Sequence, residues 1–370
     1  MNFYTIAADF KAETINEYAR LNSEYENAKV LETYGQMTVG NTMAGGRVHA
    51  DIPKIDFYDL KHYIAYSLSR DIGFNYSLNG SCMSNKEFTK EGLDELKIFL
   101  KKLKSIGVKG VTVALPSIIE VISSLQLGFE IKLSIISQVN TVNKAIDYKK
   151  IGVTRIVTDE SINRDFNKLR NISRAFGDKI EIIVNSMCHK DCVYRAFHYN
   201  QTSHDSVNCS EAGINTYYNH RCMTKKAESP EEWLKLCWVR PEDIPFYNEV
   251  GIHYFKLQGR HTVHGGNPVK AIESYFKQSF SGDLVDLFEL FNCPYSFKVC
   301  LDNRKLDGFI DKYYEAGDFC INNCQQCGYC NGYAKKIINI DEANEMNEMA
   351  KEFYAEFDQF SQMLRHCLPE

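Results

Sequence analysis

TKEGLDELKIFLKKLKSIGV, residues 89–108, runs directly into KGVTVALP, residues 109–116. In the first stretch Leu93, Leu96, Leu100 and Leu103 recur at helical spacing, Thr89 stands where a helix is capped, and Gly107 where one ends. The second is a short β-branched run stopped by Pro116, which reads as a strand. The same alternation extends in both directions. VLETYGQMTVG (30–40) and GFNYSLNG (73–80) read as strands, with a helical stretch at 55–72 between them. IKLSIISQVN (131–140), TRIVTDE (154–160), IEIIVNSMC (180–188) and IHYFKLQGR (252–260) read as further strands. The helical patterns between them begin near Asn140 or Thr141, at Asn163 and at Pro241. Repeated βα units predict a parallel sheet, and there are enough of them to close a (β/α) TIM-like barrel. No G-x-G-x-x-G follows the first of these strands, which argues against a doubly wound dinucleotide-binding sheet.

Two segments break the rhythm. Residues 185–240 form a polar insert rich in His, Tyr and Asn, a length and composition typical of a functional loop or lid. From residue 284 onward a Cys-rich stretch and a helical pattern read as a small appendage. The expected organisation is therefore a barrel over 1–283 that includes the insert, and an appendage over 284–370. No internal repeat or low-complexity tract is evident.

Composition narrows the class. Apolar residues make up 44% and charged residues 25%, as in ordinary globular proteins, and the formal net charge of −5 argues against a dedicated nucleic-acid binder. The N-terminus has no basic segment followed by an apolar run, and no stretch of about 20 apolar residues occurs. The expectation is a cytoplasmic chain that does not enter a membrane.

The 13 cysteines are the unusual quantity. In a reducing compartment clustered thiols point to metal rather than to disulfides. Cys188 and Cys192 follow a strand directly, within NSMCHKDCVYRAFHYNQTSH (185–204), and Cys222 comes about thirty residues later. Soft thiolates at the end of a barrel strand select zinc or an iron–sulfur cluster; C-x3-C is not the usual zinc-knuckle spacing, and a cluster takes about four thiolates. Spacing does not fix the fourth. Cys82, at a neighbouring strand end, is the first choice, with Cys237 and Cys209 next. Cys320, Cys324, Cys327 and Cys330 form a C-x3-C-x2-C-x2-C run that suits zinc or a second cluster equally. Cys237, Cys300 and Cys367 otherwise read as plain buried thiols. Arg195, His198 and His204 beside the first thiol pair, and Lys256 and Arg260 at a late strand end, are candidates to bind an anionic substrate or to move protons.

These motifs together resemble the U32 peptidase (collagenase-like) family. The resemblance is carried by GFNYSLNGSCMSNKEFT (73–89), VNSMCHKDCVYRAFHYNQTSH (184–204), CWVRPEDIPFYNEVGIHYFKLQGR (237–260) and the tail ending in GYC. It implies a [4Fe–4S] cluster near Cys188, Cys192 and Cys222, and an oxygen-independent hydroxylation or related redox modification. Substrates in such a family range over small molecules, peptides and RNA bases. The spacing of the cysteines departs from that of the RNA-modifying relatives. Two further readings stand beside this one: a peptidase using a metal or a Cys nucleophile with His198 or His204, and a cluster-bearing subunit paired with a homologous chain.

Overall fold

The computed structural model describes residues 1–48, 51–206, 217–291, 295–317, 319–320 and 323–367, with side chains to residue 359. Eight parallel strands close into a barrel in chain order: β1 Asn2–Ala7, β2 Ala28–Gly35, β3 Gly73–Leu78, β4 Gly110–Val113, β5 Glu130–Leu133, β6 Arg155–Val157, β7 Ile180–Ile183 and β8 Tyr254–Leu257. β1 pairs with both β2 and β8, which completes the ring. The TIM-like barrel expected from the alternation is therefore present.

Helices α1 Ala12–Glu24, α2 Phe57–Ser69, α3 Lys90–Ser105, α4 Pro116–Ser124, α5 Val142–Lys150 and α6 Phe166–Phe176 fill the crossovers of the first seven strands. Local chemistry fixes their ends. The Thr89 hydroxyl accepts from the Gly92 amide at 3.0 Å to start α3, and Gly177, at φ +119°, ends α6 where a side chain would be strained. Pro116, expected only to stop a strand, is also the first residue of α4.

The expected strands run too long at their C-terminal ends. IKLSIISQVN is strand only to Leu133; its remainder turns through a short 3-10 segment started by the Ser134 hydroxyl. Hydrophobic patterning cannot separate a buried strand from the apolar loop that continues it. Strand β1 and helix α1, at the very N-terminus, escaped the sequence reading altogether.

Between β7 and β8 the insert forms α7 Arg195–Asp205, α8 Tyr217–Lys226 and the small α9 Ile244–Glu249. After β8 come α10 Pro268–Lys277, α11 Leu284–Phe288, α12 Asp311–Ala316, α13 Cys324–Cys327, α14 Tyr329–Ile337 and the long α15 Ile340–Cys367. The region after 284 does not form a separate core. Leu284, Leu301, Phe309, Ile337 and Ala343 belong to the same buried apolar cluster as the barrel. α15 braces the insert: Arg221 of α8 pairs with Asp358 at 2.7 Å, and the His220 ring lies 3.7 Å from that of Phe357.

The barrel interior is charged where most such barrels carry Val, Ile and Leu. Lys132 of β5, fully buried, pairs with Glu32 of β2 and Glu181 of β7, each at 2.6 Å. These strands are not all neighbours, so the contacts cross the lumen. Arg155 of β6 joins Glu32 at 3.1 Å and Glu130 at 2.7 Å. Burial disfavours the Glu32 carboxylate, but Lys132 and Arg155 outweigh it and hold its pKa down to about 2. Among the described residues, no helix is long and apolar enough to cross a membrane.

Candidate functional site at the barrel mouth

Where β2, β7 and β8 end, their loops and the insert enclose a cavity of about 220 Å³. This is the C-terminal face, where barrels of this type place their chemistry. Cys188, Cys192 and Cys222 all line the cavity. The first two follow β7, and Cys222 reaches it from α8. The structure thus brings together three thiols that the sequence left thirty residues apart.

The β7 end is anchored firmly. The Asn185 side-chain amide donates to the carbonyls of Gln258 and Phe288, each at 2.8 Å, and its oxygen accepts from the Gln258 amide at 2.8 Å. It ties the ends of β7 and β8 to α11. Behind Cys188, the chain at His189 forms a bridge with Leu236, and the Cys237 amide donates to the Cys188 carbonyl at 3.0 Å. Burial first, then the nearby Glu160 carboxylate, push the Cys188 thiol up to about 12. Its S–H therefore stays protonated at neutral pH and donates to Glu160. A thiol in that state is a poor nucleophile.

Arg195 lines the same cavity, but both of its terminal nitrogens are already engaged. One nitrogen donates to Asp159 and to the Ser161 hydroxyl, each at 2.7 Å; another reaches the His189 carbonyl, and its Nε lies 3.2 Å from Glu160. It clamps the β6 loop to the start of α7, a positioning role. His198 lines the cavity between the rings of Tyr199 and Tyr218. Burial and the Arg47 cation lower its pKa to about 4, so it is neutral at pH 7 and offers one acceptor and one donor.

The other expected residues lie elsewhere. His204, in the last turn of α7, is exposed and does not line the cavity. Lys256 sits inside the barrel with its ammonium 4.0 Å above the Tyr34 ring, its pKa lowered to about 7 by burial and then by Lys132. Arg260 donates to Gln36 at 2.6 Å, and burial lowers its pKa to about 10. Neither lines the cavity. Cys82 is half-buried in the loop after β3; its neighbour Ser81 bonds Asn200 and Ser203 of α7, but Cys82 is not among the cavity residues. Cys237 is buried behind Cys188, and Cys209 lies outside the described residues.

Three residues that the sequence reading missed face the thiols. Lys226, one turn after Cys222 and only 2% exposed, donates to the Tyr295 hydroxyl at 3.1 Å. Tyr295 in turn bonds Glu289. Burial raises Glu289 from the ordinary 4.5 to about 7, against the pull of Lys226. Glu289 is thus a carboxyl held near neutrality beside a buried cation. One signal was available: Glu289 is an acid inside the apolar run LVDLFELF. Nothing in the spacing marked Lys226 or Tyr295.

The Glu289 shift has a stability consequence with a definite sign. The native state holds this proton more tightly than the unfolded chain, so stability falls as pH rises from about 4.5 through about 7. Glu289→Gln keeps the shape and removes the charge. Its gain over wild type in urea unfolding is expected to be on the order of 1 kcal/mol near pH 5 and 3 kcal/mol near pH 8. An equal effect at both pH values would show that Glu289 titrates normally.

Among the described residues, no three Cys, His, Asp or Glu side chains converge on one point. Cys188, Cys192 and Cys222 instead stand around a void, with Lys226 close enough to Cys222 and Cys188 to act on them electrostatically. Three soft thiol donors beside a buried cation suit zinc or an iron–sulfur cluster.

The family model for peptidase family U32 matches residues 54–282, more than half of the chain. The chain belongs to peptidase family U32. Among relatives, the uncharacterized protease MJ1657 of Methanocaldococcus jannaschii is 29% identical over 329 residues, which cover 88% of this chain and 95% of that protein. The structure of the U32 peptidase Mk0906 superposes with a TM-score of 0.51 at 16% identity, over 70% of this chain and 93% of that one. At that identity the match concerns the fold alone. The U32 match spans the strands from β3 to β8 and the insert, and therefore every mouth thiol described above.

Proposed function

We propose that this U32 protein holds a cysteine-ligated iron–sulfur cluster at the barrel mouth and uses it for a redox modification, with oxygen-independent hydroxylation as the reaction class. The observation that carries the reading is the convergence of Cys188, Cys192 and Cys222 on one cavity at the C-terminal face.

Cys188, Cys192 and Cys222 would hold the cluster, which supplies one-electron chemistry beside the substrate. The remaining roles belong to the chain itself. Arg195 fixes the insert over the mouth, and Arg47, on the cavity wall, attracts negative charge in the substrate. His198, neutral, positions a polar group by hydrogen bonding. Glu289 gives or takes a proton, with Tyr295 and Lys226 holding its carboxyl in place.

The test is the iron, acid-labile sulfide and zinc content of protein purified without oxygen. Iron and sulfide in equal amounts, at least about four of each per chain, are the expected result. Zinc alone, or no metal after anaerobic reconstitution, would overturn the proposal.

A further inference from the structure

The four tail cysteines are far from the mouth in sequence but adjoin it in space. Cys320, Cys324, Cys327 and Cys330 line one cavity of about 310 Å³. Cys320, Cys324 and Cys330 also face a second cavity of about 410 Å³, whose opposite wall includes Cys237 and His189. His189 lines the mouth cavity as well. Tail thiols and mouth thiols therefore look onto the two sides of a single wall. That wall is the backbone pair closed by the Cys237 amide on the Cys188 carbonyl and by the His189–Leu236 bridge.

The tail set is made of thiols alone, a soft donor set that suits an iron–sulfur cluster or zinc. All four line the same cavity. Cations accompany them. Arg164, stacked on Trp238 at 4.3 Å, acts on Cys330, and Lys235 acts on Cys324. Cys324 and Cys327 are exposed, so this end of the path opens to solvent.

We propose that the four tail cysteines hold a second iron–sulfur cluster that relays electrons through the Cys237–Cys188 wall to the mouth; this rests on the mouth reading above. A soluble one-electron carrier gives one electron to the tail cluster, and one ferric iron there becomes ferrous. The same electron then crosses the wall, reducing one iron at the mouth and returning the tail iron to ferric. No bond forms or breaks, and no proton crosses.

The experiment compares full-length wild type, Cys324→Ser/Cys327→Ser and Cys222→Ser, all reconstituted without oxygen. It reads metal and sulfide content, and electron paramagnetic resonance after dithionite reduction. Wild type is expected to hold about eight iron and eight sulfide, and each variant about four fewer of each. The wild-type spectrum is expected to show magnetic interaction that both variants lack. Unchanged iron in the tail variant, or zinc in its place, overturns the second cluster. A wild-type spectrum equal to the sum of the two variants overturns the relay. Iron lost from the tail variant but not from Cys222→Ser would sink the mouth reading while sparing the tail site. Should the tail variant fail to fold, the wild-type count decides, because about four iron in total overturns the proposal.

Discussion

Lys132→Ala is expected to lose about 3–5 kcal/mol of stability near neutral pH, enough to remove a large share of the roughly 5–15 kcal/mol that holds a typical domain together. The lysine is completely buried, between Glu32 and Glu181 at 2.6 Å each. Removing it leaves two carboxylates in the lumen with Arg155 as their shared cation, 3.1 Å from Glu32 and 3.6 Å from Glu181. The penalty comes from the unpaired charge and not from lost volume, so Lys132→Met should fare little better. The pH dependence separates the two causes. In wild type the lumen cations keep Glu32 ionised down to about 2, so its contribution is present above the ordinary carboxylate range and fades as pH falls toward that value. In the variant, acid protonates the stranded carboxylates and relieves the penalty, so the gap to wild type narrows as pH falls. Urea midpoints for both proteins across the acid range measure this. A gap that stays constant with pH would mean that packing, not charge, is responsible.

Cys188→Ser combined with Cys192→Ser is expected to abolish the mouth cluster, with iron and sulfide each falling by about four per chain. The fold itself should survive. The Asn185 stitch between β7 and β8 and the Arg195 clamp do not use either thiol, and a serine hydroxyl can replace the Cys188 S–H as donor to Glu160. Circular dichroism should therefore match that of wild type. A bound cluster also stabilises the state that binds it, so the variant should unfold at a lower temperature than the loaded wild-type protein. Undiminished iron in a folded variant would show that these cysteines are buried thiols, and would leave the barrel without a cofactor site at its mouth.

The barrel was legible in the sequence because its causes are local. Thr89, Thr141 and Gly177 mark helix ends through hydrogen bonds and backbone angles set within a few residues. Strand β1 was not legible because NFYTIA, at the chain start, lacks a turn signal before it. The strand ends at Leu133 and Ile183 were overrun because apolar residues continue past them, half-buried at Ile135 and Ile136 and buried at Val184 and Met187.

The site divides in the same way. Cys188 and Cys192 could be named from their spacing after a strand, and the tail cysteines from their density. Three things needed the tertiary structure. It brought Cys222 to the first pair, because α8 is braced by α15 from the far end of the chain. It turned Arg195 from a substrate contact into a clamp, because two carboxylates and a carbonyl reach it first. It placed Lys256 in the lumen over Tyr34 and put Lys226, Tyr295 and Glu289 opposite the thiols. The sequence by itself determined the element types, the barrel and the identity of the thiol-bearing segments, since periodicity, caps and ligand density are short-range properties. Which side chains meet, which charges are already paired and which carboxyl titrates near neutrality depend on desolvation and on contacts across more than a hundred residues, and only closure of the barrel decides those.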